Sequence, residues 1–155
     1  MYAARMYAVC IRYAKNRESA KDILQDGFVT LFEKIETYKG EGSFEGWMRR
    51  IFVNTALMSL RKNDVLKHSE QIEEIPTGEI SRANVNIIET IDMKIILDLI
   101  SQMPVGFRTV FNLNVIEGYS HQEIAQALGI TEGASRSQLS RGKIWLQERL
   151  KKILK

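Results

Sequence analysis

Apolar positions recur at helical spacing along most of this chain, and the recurrence divides it into segments. Residues 2–14, rich in Ala, Met and Tyr, read as a helix that opens without a cap. Asn16 to Ser19 break the pattern, and Ser19 with Asp22 three residues later is the expected cap of the next helix. Over residues 20–37, Leu24, Phe28, Leu31 and Ile35 fall on one stripe, widened by Phe32, which is the expected buried side. Asp22, Gln25, Asp26, Val29 and Glu33 fall opposite. Gly27 stands inside this helix and is expected to weaken it by up to about 1 kcal/mol. After the loop Lys39-Gly40-Glu41-Gly42, Ser43 caps a helix on Phe44, Trp47, Met48, Ile51, Phe52, Thr55 and Leu60. Residues 63–91 lose the periodicity, hold Pro76 and Gly78, and read as a linker between two domains.

The pattern resumes at 92–103 on Ile95, Ile96, Leu99 and Ile100. Pro104 suits the first turn of a helix that buries Val110, Phe111 and Leu113, with Val115 or Ile116, and stops at Gly118. Ser120 and Glu123 then form a capping box before the apolar face Ile124, Ala125 and Leu128. Gly129 is the stop, Ile130 fills the gap, and Thr131 caps a last helix running to the C-terminus. A short helix, a glycine turn and a longer helix make a helix-turn-helix. Leu139, Leu146 and Leu150 are its expected inner line, with Ser135 and Gly142 nearby. Arg136, Ser137, Ser140, Arg141 and Lys143 lie on the other side, where they could reach base edges and phosphates. The predicted fold is all-α: two small helical domains at 1–62 and 92–155, the second a four-helix helix-turn-helix domain, joined by an acidic linker at 63–91.

Charge sharpens this division. Of 155 residues, 45% are apolar and 26% charged, and the net charge is only +3. Residues 1–62 carry eleven basic and seven acidic side chains, residues 63–92 two and seven, and residues 93–155 nine and five. Two basic lobes flanking an acidic connector suggest two contacts with one polyanion. In the first lobe, Phe44 and Trp47 interleave with Arg49, Arg50 and Asn54, residue types that stack on and hydrogen-bond unpaired bases. Trp47 and Phe52 could equally be core. The face of Asp22, Gln25, Asp26 and Val29 could be a solvated, dipole-compensating surface or a docking surface.

Other chemistries find little support. The lone Cys10 excludes an internal disulfide and fits a reducing cytoplasm as a buried thiol. His68 and His121 lie far apart without a Cys or carboxylate cluster, so no metal site is expected. Neither a nucleophile–base pair nor a carboxylate pair is visible, so no catalytic residue and no cofactor is expected. No apolar run reaches membrane-spanning length.

Three segments, in order, resemble the bacterial sigma factors of the extracytoplasmic-function (ECF) group. Ala20-Lys21-Asp22-Ile23-Leu24-Gln25-Asp26-Gly27-Phe28 resembles the polymerase-binding helix of that family. Gly42 through Ala56, with Phe44, Trp47, Arg49, Arg50 and Asn54, is similar to its promoter-melting and minus-ten segment. Met103-Pro104, Arg108, Val110-Phe111 and Gly118 through Gly129 are similar to its minus-thirty-five domain. Ala134-Ser135 stand where that family usually has Thr-Val, implying a less firmly anchored recognition helix. The resemblance implies docking on core RNA polymerase through Asp22, Gln25, Asp26 and Val29. It implies capture of single-stranded minus-ten DNA by Phe44, Trp47, Arg49, Arg50 and Asn54, and reading of duplex minus-thirty-five DNA by Arg136, Ser137, Ser140, Arg141 and Lys143. It also implies an anti-sigma partner, an acidic linker in the basic channel of the polymerase, and no catalysis by the chain itself. Two other readings stay open: a helix-turn-helix repressor or activator acting without polymerase, and a helical interaction module that binds no DNA.

Overall fold

The computed structural model describes residues 2–62 and 92–154. The expected linker at 63–91 lies outside the described residues. The chain divides into two compact units, Met1–Lys67 and His68–Lys155, and the described residues contain helices and turns but no strand.

The first unit holds α1 (Tyr2–Tyr13), α2 (Arg17–Lys34) and α3 (Phe44–Lys62), each packed on the other two. Asn16, not Ser19, caps α2: its side chain accepts the Ser19 amide at 2.8 Å, and the helix starts three residues before the expected position. Asn ranks with the best caps, and its extended backbone leaves Ser19 inside the first turn. The α-helix also ends sooner than expected, at Lys34, and Ile35–Thr37 tighten into a 3-10 turn.

The buried line of α2 is Ala20, Ile23, Gly27 and Leu31. Leu24 and Phe28 are only half-buried, and Phe32 and Ile35, expected inside, are 70% and 42% exposed. The reason lies in one small residue. A Cβ at Gly27 would overlap Cδ1 and Cε1 of Phe52 and stand 3.1 Å from its Cγ. Phe52 is fully buried and meets Phe28 edge to face at 5.0 Å, so α3 approaches α2 at the bare backbone of Gly27. Maximum burial follows the close approach of the helices rather than the largest side chains.

Between α2 and α3 the chain turns through Gly40 and Gly42, both at a φ of 74°, where any other residue is strained. The Tyr38 hydroxyl closes this loop by donating to the Gly42 carbonyl at 2.9 Å. Ser43 caps α3 as expected, accepting the Gly46 amide at 3.2 Å.

The second unit holds α4 (Met93–Gln102), α5 (Val105–Phe111), α6 (His121–Leu128) and α7 (Glu132–Ile153), the four helices expected. Asp92 caps α4. Leu99 and Ile100 are buried, whereas Ile95 is 37% exposed near the helix start. Pro104 sits one position before α5 rather than inside its first turn. Beyond Phe111 the helix widens into a π turn over Asn112–Ile116 and stops at Gly118, whose φ is 76°. Arg108 is buried and donates from Nη1 to the Ser101 carbonyl at 3.0 Å, placing a cation at the C-terminal turn of α4. Burial lowers its pKa from the usual guanidinium value. Along α7 the buried residues are Ser135, Leu139 and Gly142, while Leu146 and Leu150 are half-exposed. A Cβ at Gly142 would stand 3.4 Å from both Met103 Sδ and Phe107 Cβ, so α7 lies tightly against α5.

Gly27 supplies a test of sign. Helix propensity alone makes Gly27→Ala stabilising by up to about 1 kcal/mol. The Phe52 ring at that position makes it destabilising instead, by about 1–3 kcal/mol, because the added methyl must displace a buried ring. Thermal unfolding of the two proteins decides between them.

Candidate nucleic-acid and protein interfaces

The helix-turn-helix is built from local hydrogen bonds. Ser120 Oγ accepts the Glu123 amide at 3.1 Å, and Glu123 Oε2 accepts the Ser120 amide at 2.8 Å, completing the expected capping box. Gly129 takes a φ of 68°, and the Ile130 amide reaches back to the Ala125 carbonyl at 3.1 Å. Thr131 Oγ1 then accepts the Ala134 amide at 3.0 Å and starts α7. Ile124 is fully buried beneath this turn.

A further link was not legible in the sequence. His121 Nδ1 lies 2.7 Å from Ser135 Oγ, across fourteen residues of chain. Ser135 is fully buried, so the hydroxyl reads as a polar clamp between α6 and α7. At Ala134-Ser135, where a less firmly anchored recognition helix was expected, this hydrogen bond supplies a polar contact between α6 and α7.

On α7, Arg136, Ser137, Ser140, Arg141 and Lys143 span roughly 160° of the helix surface, at about 100° per residue. Arg136 is exposed and the other four are half-buried. Arg136 Nη2 bridges to Glu132 Oε2 at 3.0 Å, one turn earlier on the same helix. Both partners are well exposed, so the pair can exchange for another acceptor at little cost.

On α3, Trp47, Arg50 and Asn54 share a line within roughly 60° of helix surface. Arg50 and Asn54 are exposed, Trp47 half-buried. Phe44 lies beside them, its ring 5.7 Å from that of Trp47. Tyr38, not singled out in the sequence, completes the aromatic cluster at 5.3 Å from Phe44 and 5.2 Å from Trp47. An aromatic residue next to a loop with two glycines was its only signal. Arg49 does not join this group: it projects roughly 160° around α3 from Trp47, on the half-buried side. Of the two aromatics that could have been core, Phe52 is core and Trp47 is not.

On α2, Asp22, Gln25, Asp26 and Val29 are all exposed within roughly 100° of helix surface. Val29 is 53% exposed, and Phe32 extends the same face at 70%. The sequence pattern misplaced Phe32 because its spacing fits the inner stripe as well as the outer edge. Cys10 is no candidate: it is fully buried, and burial pushes its thiol up to about 12. No group of His, Cys, Asp and Glu among the described residues could hold a metal ion. No helix among them is long and apolar enough to cross a membrane.

Comparison with known proteins places both units. The family model for sigma-70 region 2 matches residues 1–65, and the model for sigma-70 region 4 matches residues 93–146. The chain belongs to the sigma-70 family, in its ECF group. It is 30% identical to the ECF RNA polymerase sigma factor SigE of Mycolicibacterium smegmatis over 97% of its own length and 59% of that relative. The ECF sigma-E factor of Haemophilus influenzae and SigW of Bacillus subtilis are each 24% identical over 99% of this chain, which spans 85% and 87% of their lengths. The fold resembles that of the sigma factor RpoE bound to the anti-sigma factor NepR from Bartonella quintana, with a TM-score of 0.58 at 20% identity, over 96% of this chain and 91% of that one. It also resembles CnrH bound to the cytosolic domain of CnrY, with a TM-score of 0.50 at 20% identity, over 94% of this chain and 80% of that one. A region 2 match on the first unit takes the place of the sensor domain that a conventional repressor would carry there.

The clamp of this ECF sigma factor can be measured. His121→Ala and Ser135→Ala should each lower stability by about 1 kcal/mol. The double variant should lose less than the sum of the two, because each single change already breaks the same bond. Denaturant titration of the four proteins gives the coupling.

Proposed function

We propose that this chain associates with core RNA polymerase and directs it to promoters, opening the minus-ten element with its first unit and reading the duplex minus-thirty-five element with its second. The observation that carries this reading is the line of half-buried Trp47 with exposed Arg50 and Asn54, beside the rings of Tyr38 and Phe44. A duplex reader needs no such surface, whereas unpaired bases stack on aromatics and hydrogen-bond to amides. Capture of an unstacked base offsets the few kcal/mol needed to unpair it, so binding can drive melting. Arg49, on the far side of α3, contributes at most a phosphate contact. Arg136, Ser137, Ser140, Arg141 and Lys143 meet the major groove, with Arg136 exchanging Glu132 for a base or phosphate acceptor.

Asp22, Gln25, Asp26 and Val29, extended by Phe32, form the surface for core polymerase. Exposed apolar side chains ringed by carboxylates suit a partly basic protein partner. The structurally similar RpoE is bound to an anti-sigma factor and CnrH to the cytosolic domain of CnrY, which supports a regulatory protein partner of the anti-sigma kind for this chain as well. It acts in the cytoplasm, where polymerase and promoter are, and needs no catalytic residue or cofactor.

Two experiments test the reading. Reversing charge at Asp22 and Asp26 together should abolish co-purification with core polymerase while helicity is retained; wild-type recovery would remove α2 from the docking surface. With a promoter selected from a library by run-off transcription, Arg136→Ala and Arg141→Ala should each weaken duplex minus-thirty-five binding by about 1–3 kcal/mol. Trp47→Ala and Asn54→Ala should spare that binding and reduce permanganate-reactive thymines in the open complex. Normal melting by a folded Asn54 variant would refute its role in base capture.

A further inference from the structure

Tyr2 opens α1 with its ring edge-on to Phe44, the centroids 6.0 Å apart. Arg5, one turn on along the same face, donates from Nη1 to Glu45 Oε2 at 2.7 Å. These two contacts tie the first turn of α1 to the first turn of α3. Tyr2, Phe44, Trp47 and Tyr38 thereby form one run of neighbouring rings drawn from α1, α3 and the loop before it. Phe44, Trp47 and Tyr38 are half-buried, whereas Tyr2, at the free end of the run, is 37% exposed. From Trp47 to Phe44 to Tyr2 the rings step by 5.7 and 6.0 Å, wider than the about 3.4 Å rise of a stacked strand. Rings at that spacing suit bases that have been pulled apart, the state that aromatic side chains capture.

We propose that Tyr2 is a further base-stacking residue, holding an unpaired base of the strand that Trp47 and Asn54 also meet. The proposal rests on the assignment of Trp47 and Asn54 to base capture. Three observations favour nucleic acid as the occupant over a protein. The ring of Tyr2 continues, without a break, the cluster already assigned to unpaired bases. Arg5 beside it has a side chain 59% exposed and held by one part-exposed carboxylate, so it can turn to the phosphate of a stacked nucleotide at little cost. Ala3 and Ala4, the exposed residues next to Tyr2, offer a protein little to bury, whereas protein interfaces are anchored by clustered large side chains.

Removing bases one at a time tests this. The probe is a single-stranded oligonucleotide carrying the non-template minus-ten element of the library-selected promoter, bound by holoenzyme assembled on core polymerase. An abasic site is placed at each position in turn. At the position held by Tyr2 it should weaken wild-type holoenzyme roughly five-fold, the lower end of what one stacked base contributes. Tyr2→Leu keeps an apolar side chain against Phe44 but has no flat ring. Its holoenzyme should bind the intact strand that much more weakly and be indifferent to the abasic site at that one position. It should stay sensitive at the positions where Trp47→Ala and Asn54→Ala lose discrimination. Tyr2→Phe, which keeps the ring, should behave as the wild type. Abasic discrimination unchanged by Tyr2→Leu overturns the proposal, as does a Tyr2→Phe holoenzyme that behaves like Tyr2→Leu. An equal loss on every oligonucleotide also overturns it, and would make Tyr2 a contact within the bundle or with polymerase. If Trp47→Ala and Asn54→Ala both discriminate as wild type does, base capture itself fails whatever Tyr2 shows.

Discussion

The first unit is organised by the approach of the Phe52 ring to the bare backbone of Gly27. Burying the Ala20, Gly27 and Leu31 line turns Gln25, Val29 and Phe32 outward on the far side of α2. Burying Phe52 and its neighbours turns Trp47, Arg50, Asn54 and Met58 outward on α3. Both proposed interfaces of this unit are therefore set by one packing decision. A protein partner and an unpaired strand can be held on different faces of the same small bundle without competing for side chains.

The second unit solves a different problem. A recognition helix must be held rigidly by a short partner helix that buries little apolar area of its own. Here the deficit is met by hydrogen bonds: a capping box, a threonine cap, a left-handed glycine and the His121–Ser135 clamp. Arg108 adds a buried cation beneath the C-terminal turn of α4. Polar satisfaction substitutes for hydrophobic contact where space is small.

Element types and the helix-turn-helix were legible because caps and turn glycines are local signals, read within three or four residues. Ser120, Glu123, Gly129 and Thr131 all do what their spacing indicates. The inner face of α2 was misread by one position. Periodicity ranks residues by size, and at a close helix crossing the smallest residue wins; nothing local announces that Phe52 will need the space over Gly27. The aromatic cluster was half legible, since Phe44 and Trp47 share a helix with Arg50 and Asn54. Tyr38 reaches them only through the loop closed by its own hydroxyl. Arg49 was grouped with Trp47, Arg50 and Asn54 by residue type and by family resemblance, and on the helix it projects in a different direction from them. The clamp between His121 and Ser135 is a tertiary contact and has no signature at either residue alone.

The Glu132–Arg136 bridge gives the recognition helix a built-in competitor. A phosphate approaching Arg136 must displace a carboxylate that already holds the guanidinium and that repels the phosphate. A guanine edge, offering two acceptors in the plane of the fork and no charge for Glu132 to repel, replaces the carboxylate with less penalty. If α7 reads duplex DNA as proposed, this exposed bridge trims its general attraction to phosphate by at most about 1 kcal/mol. For a protein that must find few promoters among a great excess of other duplex, even a small reduction in contact with unmatched sites works in the useful direction.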